Sequence, residues 1–171
     1  AKKKENNKDP KLKAAFGKEA CTKKWNRYVD MLPNPSTIVK LPKVGSDELS
    51  TYVNANYMRG PDNKLGTFIA SLAPMETSQI HFWRMIIECR IKTILMVTGL
   101  KEKGVDKCPE YFPQQVGEET TFEGEKTIAT IKCTAQKKYG SYVNSKFHIT
   151  AQSGLEAERM ATVSHWWYTA W

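Results

Sequence analysis

Apolar residues change their spacing along the chain, and each change predicts an element. From Lys11, the residues Leu12, Phe16 and Ala20 recur at every fourth position, the spacing of a short amphipathic helix that Gly17 weakens. Pro33, Pro35 and Pro42 then hold the backbone extended, and Gly45-Ser46-Asp47 marks a surface loop. Ser50 to Met58 alternates, with Thr51, Val53, Ala55 and Tyr57 on one side and Tyr52, Asn54 and Asn56 on the other, which is strand periodicity. Gly60 to Asn63 makes a turn, Phe68-Ile69-Ala70 starts another short strand, and Pro74 ends it.

Thr77 or Ser78 is placed to cap a helix running to about Arg90, with a stripe of Ile80, Trp83, Ile86, Ile87 and the aliphatic stem of Arg90. Thr93 to Thr98 is a continuous β-branched run, the pattern of a strand buried on both faces, and Gly99 to Gly104 reads as a charged loop. Thr127–Ala135, Val143–Ala151 and Ala157–Ala170 alternate, with turns at Gly140 and Ser153-Gly154, and predict an antiparallel meander. No internal repeat or domain boundary stands out. The expected class is α+β, a mixed sheet with helices.

Composition narrows the function. Hydrophobic residues are 40% and charged residues 26% of the 171, which suits one soluble globular domain or a large part of one. No apolar run approaches the roughly 20 residues of a membrane span, and no export signal is visible, so a cytoplasmic protein, or the intracellular part of a larger one, is expected. The chain starts at Ala1 and reads as an excerpt. Of the net charge of +8, residues 1–24 carry +6, nine lysines against Glu5, Asp9 and Glu19. That segment reads as a basic arm with a short helix, and residues 25–171 as the folded part. A solvated arm is the simpler reading of those lysines, so a nucleic-acid partner is not expected. Cys21, Cys89, Cys108 and Cys133, with His81, His148 and His165, show no metal-ligand spacing, so no metal and no cofactor are expected. The cysteines read as reduced thiols.

One cluster invites chemistry. Trp25-Asn26-Arg27-Tyr28-Val29-Asp30 places an aromatic ring, a cation and a carboxylate within a few residues. Alone it reads first as a turn with one buried tyrosine, and alternatively as a clamp for a flat ligand ring. Cys21 and Arg27 have Cys-x5-Arg spacing, but Thr22-Lys23-Lys24-Trp25-Asn26 between them contains no glycine and cannot curl its N–H groups around a phosphate.

In order and spacing, residues 25–171 resemble the N-terminal portion of the catalytic domain of protein tyrosine phosphatases. Asn26-Arg27-Tyr28-Val29-Asp30 is similar to that family's phosphotyrosine-recognition loop, and Tyr52-Val53-Asn54-Ala55-Asn56-Tyr57 to its next strand. Phe82-Trp83-Arg84-Met85, Ile94–Thr98 with Glu102-Lys103-Gly104, Lys107–Pro113 and His165–Trp171 continue the match.

The resemblance implies a highly twisted mixed sheet flanked by helices. It implies that Tyr28 stacks on a phosphotyrosine ring and that Asp30 accepts backbone N–H bonds from a substrate peptide, with Arg27 in the same loop. It further implies that Glu102 pairs with the family's phosphate-binding arginine and that Lys107 lies near the general-acid loop. The chain departs from the family at Pro35 and Ile38, where an Asp and an Arg usually brace the loop, and at Leu72-Ala73 and His81. It ends before the expected general-acid aspartate and the glycine-rich Cys-x5-Arg loop, so no catalytic residue is assigned and the fold is expected to be incomplete.

Two functions follow. The first is a phosphatase-domain fragment whose full domain hydrolyses phosphotyrosine in proteins through a cysteinyl-phosphate intermediate, the piece alone being inactive. The second is a non-catalytic module that binds phosphotyrosine peptides or a partner. An apolar strand edge at Ile94–Val97 is expected to promote aggregation.

Overall fold

The computed structural model describes residues 9–124, 126–154 and 157–170. The chain packs as two compact units, Ala1–Ser78 and Gln79–Trp171, a boundary that the periodicity did not reveal.

In the first unit, helix α1 (Asp9–Phe16) ends where Gly17 adopts a φ of 79°. A 3-10 turn at Glu19–Cys21 follows. Leu12, Phe16 and Ala20, the residues at four-residue spacing, are all buried. They form one core with Leu32, Ile38, Leu49 and Tyr52, and Phe16 meets Tyr52 edge-on at 5.3 Å. Burial of side chains this size is worth about 1.5–3 kcal/mol each, which fixes the turn after α1 against the sheet. That sheet is antiparallel, in the order β1 (Ile38–Lys40), β2 (Tyr52–Arg59), β3 (Leu65–Ser71).

The second unit begins with α2 (Gln79–Glu88). The expected caps are used elsewhere: Ser78 Oγ accepts from the Met75 N–H at 2.9 Å, and the Thr77 hydroxyl donates to the Lys24 carbonyl. The predicted stripe is too narrow, because burial extends to His81, Phe82, Arg84 and Met85. Arg90 lies past the helix, exposed, with a φ of 53°, and so contributes no apolar stem.

Five strands form a mixed sheet in the order β4 (Thr93–Met96), β10 (Arg159–Tyr168), β9 (Tyr142–Ser153), β8 (Thr127–Tyr139), β7 (Glu119–Gly124). β4 runs parallel to β10 and the other pairs are antiparallel. The meander is as expected, with a bulge between Cys133 and Ala135 and with β7 as an additional strand. The charged loop at Gly99 to Gly104 is a small hairpin, β5 (Lys101–Glu102) with β6 (Val105–Asp106), turned by Lys103 and Gly104 at positive φ.

β4 differs from expectation. Ile94 and Met96 point inward, but Leu95 is 73% and Val97 61% exposed. A β-branched run identifies a strand but carries no information about how many faces are covered, and β4 lies at the edge of its sheet. The inward face holds Ala129, Ile131, Cys133, Phe147, Ile149 and Val163, with Trp83 of α2 packed against Phe122 and Phe147. Helices and mixed sheets together make the chain α+β.

Candidate functional site

The turn carrying Tyr28 and Asp30 is built around Asn26. This side chain is fully buried. Its Nδ2 donates to the carbonyls of Ala20 at 2.7 Å and Thr22 at 3.0 Å. Its Oδ1 accepts from the Tyr52 hydroxyl at 2.6 Å and from Asn54 Nδ2 at 2.8 Å. The Asn26 side chain is therefore saturated, which a buried amide requires to avoid a desolvation penalty. Burial pushes the Tyr52 hydroxyl well above the usual tyrosine range, so it stays protonated and donates.

Strand β2 continues the clamp with its alternate residues. Asn54 Nδ2 also donates to the Met31 carbonyl at 3.1 Å, and the Met31 N–H returns to the Tyr28 carbonyl at 3.1 Å. Asn56 accepts from the Asn34 N–H at 3.0 Å and donates to the Asn34 carbonyl at 2.9 Å and Thr37 Oγ1 at 3.1 Å. Two-residue periodicity puts Tyr52, Asn54 and Asn56 on one side, so a single strand holds both ends of the turn. Amide side chains thus brace the segment containing Pro35 and Ile38.

On this clamped backbone Tyr28 is 45% exposed and Asp30 is exposed, while Arg27 is half-buried. The simple reading of a turn with a buried tyrosine is overturned. An open phenol ring and a carboxylate two residues apart can cover a flat ring and accept amide N–H groups.

Glu102 and Lys107 lie in the second unit and are brought together there. Lys107 Nζ is 3.9 Å from Glu102 Oε2, and both side chains are partly exposed. Glu102 Oε1 accepts from the Thr98 hydroxyl at 3.0 Å and the Gly99 N–H at 3.4 Å. Behind this loop, Trp167 Nε1 donates to the Thr98 carbonyl at 3.0 Å. Deeper, Trp83 Nε1 donates to the Tyr111 carbonyl at 2.9 Å, and the Tyr111 hydroxyl lies 2.9 Å from His165 Nε2. Burial pushes His165 down to about 3 and Tyr111 well above the usual tyrosine range. Tyr111 is therefore the donor, and the neutral His165 carries its proton on Nδ1.

None of the four thiols sits on a glycine-rich loop at a helix N-terminus. Cys21 closes a 3-10 turn, Cys89 follows α2, Cys108 follows β6, and Cys133 is on β8. Cys108 and Cys133 are buried, and burial raises Cys133. Among the described residues no group of three or more His, Cys, Asp or Glu side chains is placed to hold a metal ion. Among the described residues no helix is long and apolar enough to cross a membrane.

Motif reading singled out Tyr28, Asp30, Arg27, Glu102 and Lys107 as candidates and did not single out the hydrogen bonds of Asn26 and Trp167. Asn26 belongs to the Asn26–Asp30 motif, yet a buried asparagine and a turn asparagine look alike in sequence.

An exposed tyrosine–aspartate turn braced by an asparagine-bearing strand thus sits within an α+β fold. The chain belongs to the protein-tyrosine phosphatase family, whose model matches residues 22–171. It is 36% identical over 147 residues to the human Receptor-type tyrosine-protein phosphatase R, covering 85% of this chain and 20% of that protein. It is 33% identical over 147 residues to the rat (Rattus norvegicus) Tyrosine-protein phosphatase non-receptor type 5, covering 85% of this chain and 36% of the relative. The crystal structure of the catalytic domain of human Protein Tyrosine Phosphatase non-receptor Type 18 is similar, with a TM-score of 0.70, 27% identity, and coverage of 86% of this chain and 49% of that one. The chain thus spans well under two thirds of the relatives it matches.

Proposed function

We propose that this chain recognises phosphotyrosine in proteins or peptides, with Tyr28 as the ring wall and Asp30 as the anchor for the peptide backbone. The observation that carries the reading is the clamped turn, where Asn26 and Asn54 fix the backbone and leave Tyr28 and Asp30 open to solvent. Preorganisation of this kind lowers the entropic cost of binding. Glu102 is assigned to hold a guanidinium and Lys107 to lie beside it. Hydrolysis through a cysteinyl phosphate belongs to the complete family domain. The 171-residue chain alone is assigned binding without turnover, because none of its thiols has the required loop. The free cysteines support a cytoplasmic setting, in a cytoplasmic protein or in the intracellular part of a larger one, and the relatives include both non-receptor and receptor-type forms.

Titration of the chain with a phosphotyrosine peptide and its unphosphorylated twin, followed by amide chemical shifts, tests the reading. Saturable shifts at Tyr28 and Asp30 with the phosphopeptide, without phosphate release, are expected. Equal response to both peptides removes phosphotyrosine recognition, and measurable phosphate release removes the assignment of binding alone.

A further inference from the structure

The carboxylate of Glu102 and the indole of Trp167 are linked through a single residue. Trp167 Nε1 donates to the Thr98 carbonyl at 3.0 Å, and the Thr98 hydroxyl donates to Glu102 Oε1 at 3.0 Å. The Gly99 N–H adds a second donor to the same oxygen at 3.4 Å. The loop between them has little slack, because a Cβ on Gly99 would stand 2.9 Å from the Lys101 carbonyl oxygen. Trp167 is itself fixed: it pairs with Met96 in the parallel register and meets Phe112 edge-on at 5.7 Å.

These contacts leave Glu102 with one oxygen held by neutral donors and the other, Oε2, turned toward Lys107. A carboxylate held this way has a fixed direction, which suits a planar cation such as a guanidinium. We propose that Trp167 is a positioning residue for Glu102, its indole N–H holding the Thr98–Gly99 backbone that aims the carboxylate. The inference rests on the reading of Glu102 as a guanidinium-holding group. The linkage itself does not depend on phosphotyrosine binding.

The test uses amide hydrogen exchange of the full chain with Trp167→Phe, Glu102→Ala and the double variant. Phenylalanine keeps a ring against Phe112 and removes the donor. Each single change is expected to speed exchange at Gly99 by about tenfold, with the Ile149 amide in the core unmoved. If Trp167 acts through Glu102, the double variant exchanges no faster at Gly99 than either single one. A wild-type rate at Gly99 in Trp167→Phe, or a double effect equal to the product of the singles, overturns the proposal. A second readout leaves Trp167 in place: Glu102→Ala must shift the Trp167 indole N–H resonance, since coupling is reciprocal, and an unmoved resonance also overturns it. Failure of phosphopeptide binding would leave these rates unchanged, so the two readings fail separately.

Discussion

The Tyr52 hydroxyl donates to Asn26 Oδ1 at 2.6 Å across 26 residues of sequence, tying strand β2 to the turn that presents Tyr28 and Asp30. Four bonds converge on the Asn26 side chain, and all are made inside the first unit. Asn26→Ala removes four hydrogen bonds at a buried position, to the Ala20 and Thr22 carbonyls and to the Tyr52 and Asn54 side chains. A loss of about 3 kcal/mol is expected, against about 1 kcal/mol for Tyr52→Phe, which removes one bond and keeps the ring on Phe16. Urea unfolding of the two single variants and the double variant measures this. The double variant is expected to lose less than the sum, and an Asn26→Ala loss below about 1 kcal/mol would contradict the clamp.

Acid should weaken the second unit through His165. Its ordinary value is 6.5, and burial lowers it to about 3 in the folded state. Between these values the unfolded chain takes up a proton that the folded chain refuses. The contribution is complete above about pH 6.5 and is lost as pH falls toward about 3, at up to about 1.4 kcal/mol per pH unit. Denaturant midpoints measured between pH 7 and about pH 4 are expected to fall more steeply in the natural chain than in His165→Gln, which lacks the titrating ring. Equal slopes would show that His165 is not held neutral by burial.

Much of the fold was legible because periodicity reports which side of an element is covered. Leu12 and Phe16 announced a packed helix, Ala20 being buried in the 3-10 turn beyond its end, and the alternation of Tyr52, Asn54 and Asn56 announced the face that clamps the turn. Three features were hidden for physical reasons. Strand β7 is largely polar, with only Phe122 buried, and so carries a weak alternation signal. Strand β4 has the composition of a buried strand but sits at a sheet edge, and edge position is a tertiary property. The partner of Asn26 lies far along the chain, so the candidate loop could be located by resemblance while its support could not.

The open edge of β4 predicts self-association. Leu95 is 73% exposed on a strand paired on one side only among the described residues, and no charged side chain lies between Thr93 and Thr98. Leu95→Lys is expected to raise the concentration at which the chain stays monomeric by light scattering, with a stability change within about 0.5 kcal/mol because the site is exposed. Unchanged scattering would place the association surface elsewhere.

Recognition by Tyr28 is tested most directly by comparing phosphotyrosine-peptide affinity for the natural chain, Tyr28→Phe and Tyr28→Ala. Stacking needs the ring and not the hydroxyl, so Tyr28→Phe is expected to bind like the natural chain. Tyr28→Ala is expected to bind about 2- to 10-fold more weakly, the equivalent of a stacking contribution of about 0.5–1.5 kcal/mol. Equal affinity of all three chains for the phosphopeptide would contradict the assignment of the Tyr28–Asp30 turn as the recognition site.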